Sequence, residues 1–229
     1  SRLILCLHSC DSFLLVICDP APNSSWGVAL DEKIKTMELG PMVHSNIETS
    51  YTHQISKLKT EFKELAIAPS AASGACLGSV EASYFLAHPT LAEEVFGPFS
   101  LVVHCKNAKE QLAVAESLSG QLTATLLGDM EDQQQLQALL PILQAKVGRL
   151  LFEGVPTGVA VTQAMQHGGP YPATTDSRFS SVGVDAIYRW LRPVAYQDCP
   201  NEYLPAALQN ENPLQLHRHL NGVLTKAMV

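Results

Sequence analysis

Charge is scarce in this chain: Asp, Glu, Lys and Arg make up 16% of 229 residues, and the net charge is -7. There is no basic run, so the electrostatic footprint of a nucleic-acid binder is missing. Aromatic residues are few as well, at 7%. No apolar stretch reaches the roughly 18 residues that a membrane span needs, and the nearest, residues 13–17, is strand-sized. Residues 1–7 lack an initiator Met and are too short for the apolar core of a secretory leader. They read as the start of a fragment or processed product, cytoplasmic in location. Six cysteines are present (Cys6, Cys10, Cys18, Cys76, Cys105, Cys199), but no CxxC pair, and their spacing is irregular. Neither a metal site nor a disulfide framework is expected. His217 and His219 have no acidic or cysteine neighbours and read as surface residues. GxGxxG, GxxxxGK[ST] and GxSxG are all absent, so the chain carries no dinucleotide, phosphate or nucleophile-elbow fingerprint of its own.

What remains is an apolar fraction of 46%, enough for a sizeable globular core. Residues 92–105 organise it. Glu93 and Glu94 precede the turn pair Gly97-Pro98, and a short apolar run follows from Phe99. This reads as a helical turn, a loop, and a strand buried on both faces. A glutamate and a phenylalanine two apart before such a strand are candidates for ligand contact. The same residues also fit a plain loop with a solvated Glu94 and a core Phe96.

In chain order, residues 13–17 read as a buried strand stopped by Asp19-Pro20. A cysteine just before that strand, Cys10, is a candidate nucleophile where the fold lowers its pKa. Residues 28–35 read as a short helix. Residues 48–65 read as an amphipathic one, with Tyr51, Ile55, Leu58 and Phe62 on one face. Residues 66–79 are rich in Ala, Ser and Gly and read as a loop, followed by a strand at 79–86. A regular alternation comes next: strand 101–103, helix 108–118, strand 122–127, helix 131–146 kinked at Pro141, strand 149–152. It predicts parallel βαβ units with right-handed crossovers. The Gly- and Pro-dense segments 154–158 and 167–172 follow a strand, where binding loops are expected. The pattern then predicts a helix at 184–191, a short strand at 194–196 and a last helix at 214–220.

At this point several segments together resemble the catalytic domain of the aldehyde dehydrogenase superfamily, and within it the α-ketoglutaric semialdehyde (2,5-dioxovalerate) dehydrogenase branch. They are Glu93-Glu94-Val95-Phe96-Gly97-Pro98, the stretch 116–126, Gly154-Val-Pro-Thr-Gly158, His167-Gly-Gly-Pro-Tyr-Pro-Ala-Thr174 with Asp176-Ser177-Arg178, Ser181-Val182-Gly183, Leu191-Arg-Pro-Val194, Tyr196-Gln-Asp198 and Asn212-Pro-Leu214. The likeness is strong over about 79–216. It implies an α/β fold with a mostly parallel sheet, flanking helices and a C-terminal oligomerisation arm. The implied division is 1–195 for the catalytic domain and 196–229 for the arm, with no room for the NAD(P)-binding domain. It further implies a homodimer or larger homo-oligomer, no nucleic-acid or membrane partner, and covalent oxidation of a small aldehyde with NAD or NADP.

By that resemblance Glu94 bonds the nicotinamide ribose, Phe96 borders the nicotinamide, and His167 and Tyr171 line the substrate pocket. Cys10 falls at the nucleophile's distance before a strand. The family's Gly, Gln, Thr and Pro-Gly around that cysteine are missing here, and Asp11 beside it would raise a thiol pKa. Glu153 replaces the family's usual Asn. An alternative reading is a truncated, inactive relative that serves as a binding or assembly module, with an exposed apolar patch where a partner domain would pack.

Overall fold

The computed structural model describes residues 4–8, 13–18, 25–70, 74–128, 132–154 and 158–229. It divides into two compact units, residues 1–189 and 190–229.

The first unit is built on a seven-stranded sheet in the order β3-β4-β5-β2-β1-β6-β7. The strands are β1 (Ile4–His8), β2 (Phe13–Cys18), β3 (Ala66–Pro69), β4 (Cys76–Glu81), β5 (Phe99–Cys105), β6 (Gln121–Leu127) and β7 (Val147–Phe152). The sheet is mixed, not mostly parallel: β4-β5, β5-β2 and β6-β7 are parallel, while β1-β2, β1-β6 and β3-β4 are antiparallel. The physical reason is connection length. Four residues join β1 to β2 and six join β3 to β4, far short of the dozen or so that a parallel crossover needs.

The helices are α1 (Ser25–Thr36), α2 (Ser45–Glu61), α3 (Ala82–Ala87), α4 (Ala108–Ser117) and α5 (Gln133–Gln144). Alternation along β5 assigns its neighbours to opposite faces. Leu101, Val103 and Cys105 enter the main core with Tyr51 and Ile55 of α2, Phe85 of α3, Val114 of α4 and Leu139 of α5. Val102 and Leu77 face the other way, onto Ile34 of α1. The helix starts follow from capping. His44 Nδ1 accepts from the Asn46 N–H at 3.1 Å to open α2, and Asn107 Oδ1 accepts from the Glu110 N–H at 3.0 Å to open α4. Glu110 reaches back to the Lys106 N–H at 2.8 Å. Pro141 lies within α5.

Five further expectations change. Residues 66–79 hold β3 and the start of β4, and 82–87 is helix because Ala82 and Phe85 turn into the main core. Residues 184–190 are a 3-10 helix, and 194–196 are irregular. The helix expected at 214–220 is instead β8 (Arg218–Leu220) paired antiparallel with β9 (Val223–Thr225). The turn between them is Asn221-Gly222, with φ 49 and φ 84 respectively. Two successive positive φ values are the conformation of a two-residue type I′ hairpin loop. The second unit is tied by polar hubs. Buried Asn212 donates to the Leu216 and Lys226 carbonyls and accepts from the Leu216 N–H. The Arg218 guanidinium donates to the carbonyls of Gln209, Asn210 and Ala227.

Candidate functional site

Five strands of the sheet (β4, β5, β2, β6, β7) run in one direction, so their starts share one edge. The register makes this explicit: Ser100 of β5 pairs with Phe13, Phe13 with His8, His8 with Thr123, and Thr123 with Arg149 of β7. Two of the segments singled out in the sequence, 93–98 and 167–172, meet that edge. Glu94 and Phe96 precede β5. Cys10 lies outside the described residues, between a β1 that ends at His8 and a β2 that begins at Phe13, the ends that flank it in the register. The loop carrying His167 and Tyr171 crosses the starts of β6 and β7. Three inter-strand spacings, about 14 Å, separate β5 from β6.

Beyond the 3-10 turn Pro89–Ala92, Glu93 and Glu94 are exposed and Phe96 is 40% exposed. Phe96 is therefore not the core residue of the plain-loop alternative. What holds this loop is behind it. The Cys76 N–H donates to the Pro98 carbonyl at 2.9 Å, fastening the turn to the start of β4. The Tyr51 hydroxyl from α2 lies 3.1 Å from the same carbonyl and 3.0 Å from that of Gly74. Its ring lies against Gly97, where a Cβ would sit 2.5 Å from Cδ2 at a φ of +145°. Only glycine accepts both constraints. Burial, with the Cys76 thiol hydrogen-bonded beside it, pushes the Tyr51 phenol well up, so it stays a neutral donor. In the sequence Tyr51 is legible only as a member of an apolar helix face.

The second loop is tied to itself and to the sheet. The His167 N–H donates to the buried Ser180 Oγ at 3.1 Å, the Ser181 N–H to the His167 carbonyl at 2.9 Å, and the Thr174 hydroxyl to the Gly169 carbonyl at 2.6 Å. Its backbone passes directly over two strand starts. A Cβ on Gly148 would lie 2.5 Å from the Gly168 carbonyl carbon and oxygen, and one on Gly120 2.3 Å from the Pro170 oxygen. The glycines of both strands and loop exist for this crossing. It leaves His167 half-buried and Tyr171 80% exposed. Burial first, and the nearby Arg149 charge second, lower the His167 pKa, so the imidazole is neutral near pH 7. Farther along, Arg178 grips Asp176 through Nε and Nη2 and holds its carboxyl down at about 2.

Arg149 is a residue that the sequence presents as an ordinary strand position. It lies on β7 directly opposite Thr123. Ala124 and Leu126 enter the main core, so alternation turns Thr123 and Thr125 to the opposite face. The signal available was an arginine inside the apolar run Val147-Gly-Arg-Leu-Leu-Phe152.

Glu153 ends β7 at φ 65, followed by Gly154 at φ 77. A left-handed residue there favours Asn or Gly over glutamate.

No family model matches the chain. Alpha-ketoglutaric semialdehyde dehydrogenase 2 of Azospirillum brasilense is 51% identical over 150 residues, covering 66% of this chain and 29% of that relative. Alpha-ketoglutaric semialdehyde dehydrogenase of Acinetobacter baylyi is 51% identical over 139 residues, covering 61% and 26%. The matched stretch thus spans less than a third of the length of these relatives. Among solved structures, a salicylaldehyde dehydrogenase from Pseudomonas putida G7 superposes with a TM-score of 0.57 at 16% identity, over 80% of this chain and 40% of that one. A Delta-pyrroline-5-carboxylate dehydrogenase from Mycobacterium tuberculosis, bound with NAD, gives 0.53 at 17% identity over 78% and 36%. Over the matched 150 residues the chain is similar in sequence to α-ketoglutaric semialdehyde dehydrogenases, and its fold is similar to that of solved aldehyde dehydrogenases.

Proposed function

We propose that the chain is the catalytic-domain portion of a cytoplasmic, NAD(P)-dependent aldehyde dehydrogenase that oxidises 2,5-dioxopentanoate to 2-oxoglutarate. The observation that carries this reading is the placement of two motif segments, 93–98 and 167–172, at one edge of the sheet, in a chain 51% identical over 150 residues to a semialdehyde dehydrogenase. An exposed Glu94 carboxylate and a part-exposed Phe96 ring, on a loop braced by Tyr51, suit a cofactor's ribose and nicotinamide. NAD(P)+, when bound, supplies the hydride acceptor.

The remaining chemistry belongs to the chain. The Cys10 thiolate adds to the aldehyde carbon as a thiohemiacetal, and oxidation leaves a thioester. Water then hydrolyses it, returning the thiol and releasing the acid. Glu94 would hold the cofactor through its ribose hydroxyls. Phe96 shields one face of the reacting centre from water. His167, neutral, and Tyr171 line the aldehyde pocket from the β6-β7 side.

The test has two parts. At pH 7, iodoacetamide should label Cys10 selectively over the buried Cys76 and Cys105. The native polypeptide should reduce NAD+ or NADP+ with 2,5-dioxopentanoate and lose that activity in Cys10→Ser. Undiminished turnover in Cys10→Ser overturns the mechanism.

Residues 196–229 are the segment that we assign to homo-oligomer assembly. Tyr203, Val223 and Leu224 expose large apolar surfaces there, as Trp190 does earlier in the same unit, and such surface favours association. Light scattering that finds only monomer refutes the assignment.

A further inference from the structure

We infer that Arg149, with Thr123 and His167 around it, forms an anion site that takes the carboxylate of the substrate, making this chain selective for aldehydes bearing a carboxyl group. The inference rests on the HGGPYP loop lining the aldehyde pocket. Arg149 carries a charge with no counter-ion among the described residues. Arg149 is half-buried, and its Nε is buried without a hydrogen-bond partner. Its one hydrogen-bond contact among the described residues is Nη1 to the Met165 sulfur at 3.6 Å, a weak acceptor. No described carboxylate lies within ion-pair distance of it. A guanidinium taken partly out of water without a counter-ion is costly, and folds retain such a group where an anion arrives to complete it.

Two neighbours point the same way. Thr123, directly across the β6-β7 register, is 0% exposed, and its hydroxyl has no partner. His167 leaves Nδ1 buried and unpartnered, close enough to Arg149 to feel its charge. Thr125, two residues along the same face of β6, carries a second orphaned hydroxyl. A fork of guanidinium donors, a hydroxyl and an imidazole matches a planar carboxylate, which accepts from several donors at once. The place fits as well. Arg149 stands beneath the Gly148-Gly168 crossing, on the sheet edge where His167 meets β7. A bound aldehyde acid would therefore have its carboxylate at β6-β7.

The experiment uses the whole chain, with glutarate and 2-oxoglutarate as probes and neutral glutaramide as the control, read by calorimetry and by thermal midpoint. Both acids should bind and raise the midpoint, and glutaramide should do neither. Arg149→Gln should weaken acid binding by roughly ten- to a hundredfold, the range for a charge-assisted hydrogen bond. Arg149→Lys should keep part of it. Without ligand, Arg149→Met should have a midpoint equal to or above that of the parent, because it removes the uncompensated charge while keeping an apolar stem. Acid binding unaltered in Arg149→Gln overturns the inference, as does an absence of acid binding in the parent. A midpoint of Arg149→Met well below that of Arg149→Lys also overturns it, since the guanidinium would then be a structural strut. None of these readouts involves NAD(P) or a thiol. Failure here leaves the Cys10 chemistry standing, and an inert Cys10 leaves the carboxylate site standing.

Discussion

Replacing Gly148 with alanine isolates the contact that fixes the second loop. Gly148 lies in β7 without a positive φ, so the backbone itself accepts a side chain. In a strand whose surroundings are open, Gly→Ala stabilises by about 0.5–1 kcal/mol through the unfolded-state entropy that it removes. Here the new methyl would meet the Gly168 carbonyl carbon and oxygen at 2.5 Å and the Gly169 nitrogen at 2.9 Å. Those are backbone atoms of a loop pinned by Ser180 and Thr174, so relief requires lifting the loop as a body. Overpacking of that kind costs about 1–3 kcal/mol. The balance is a net loss of about 1–2 kcal/mol, or a fall of roughly 2–8 °C in midpoint for a chain of this size. Gly40→Ala is the control, since nothing lies within 4 Å of its Cβ. Urea titration of both variants, with limited proteolysis across 160–180, decides the matter. A Gly148→Ala protein as stable as Gly40→Ala, with an equally resistant loop, refutes the close crossing and the site geometry that rests on it.

Glu153 sits at a positive φ that suits Asn and strains Glu. Glu153→Asn should therefore stabilise by about 0.5–1 kcal/mol, and a midpoint that stays put or falls contradicts the backbone assignment. His167 binds its proton less tightly when folded, so the unfolded chain takes up more protons below about pH 6.5 and stability declines as pH falls through that range. Urea midpoints from about pH 7.5 to about pH 5.5 should show that slope, and His167→Gln should flatten it. Arg178→Ala should let the Asp176 pKa climb from about 2 toward the ordinary ~3.9, visible in a carboxyl-carbon NMR titration. Tyr51→Phe removes the hydroxyl that braces the Pro98 carbonyl. It should cost about 1 kcal/mol in chemical denaturation, the net worth of a typical hydrogen bond, while an unchanged midpoint shows that the brace is idle.

The legible elements were those with a single strong signal. Strand β5 is an unbroken apolar run after Gly97-Pro98, and it is buried on both faces as that pattern implies. The α4, β6, α5 and β7 series alternates cleanly because each helix buries one stripe against the sheet. The mixed sheet escaped because β1 and β3 are set by short connections to neighbours, which periodicity does not report. Strand β4 hid in small residues. Gly78 lies there because a Cβ would meet the Phe99 ring at 2.8 Å, a fact of packing and not of propensity. The Asn221-Gly222 turn signal is plain, yet an apolar spacing in 214–220 competes with it and favours a helix. At the site, the neighbourhoods of Glu94 and of His167 were found through turn residues and family likeness. Arg149 was missed because its meaning lies in the partner that it lacks among the described residues, and only three dimensions show this.

Strand β1 has a consequence for how this protein fails. It is five residues long and sits between β2 and β6, so among the described strands it alone bonds the β3-β4-β5-β2 half of the sheet to the β6-β7 half. Peeling it away would bare two fresh edges, β2 and β6, each with a row of unpaired amides in the middle of an apolar sheet. Such edges recruit strands from other copies. Damage near residues 4–8 would therefore surface as insoluble protein well before it surfaced as a locally altered site.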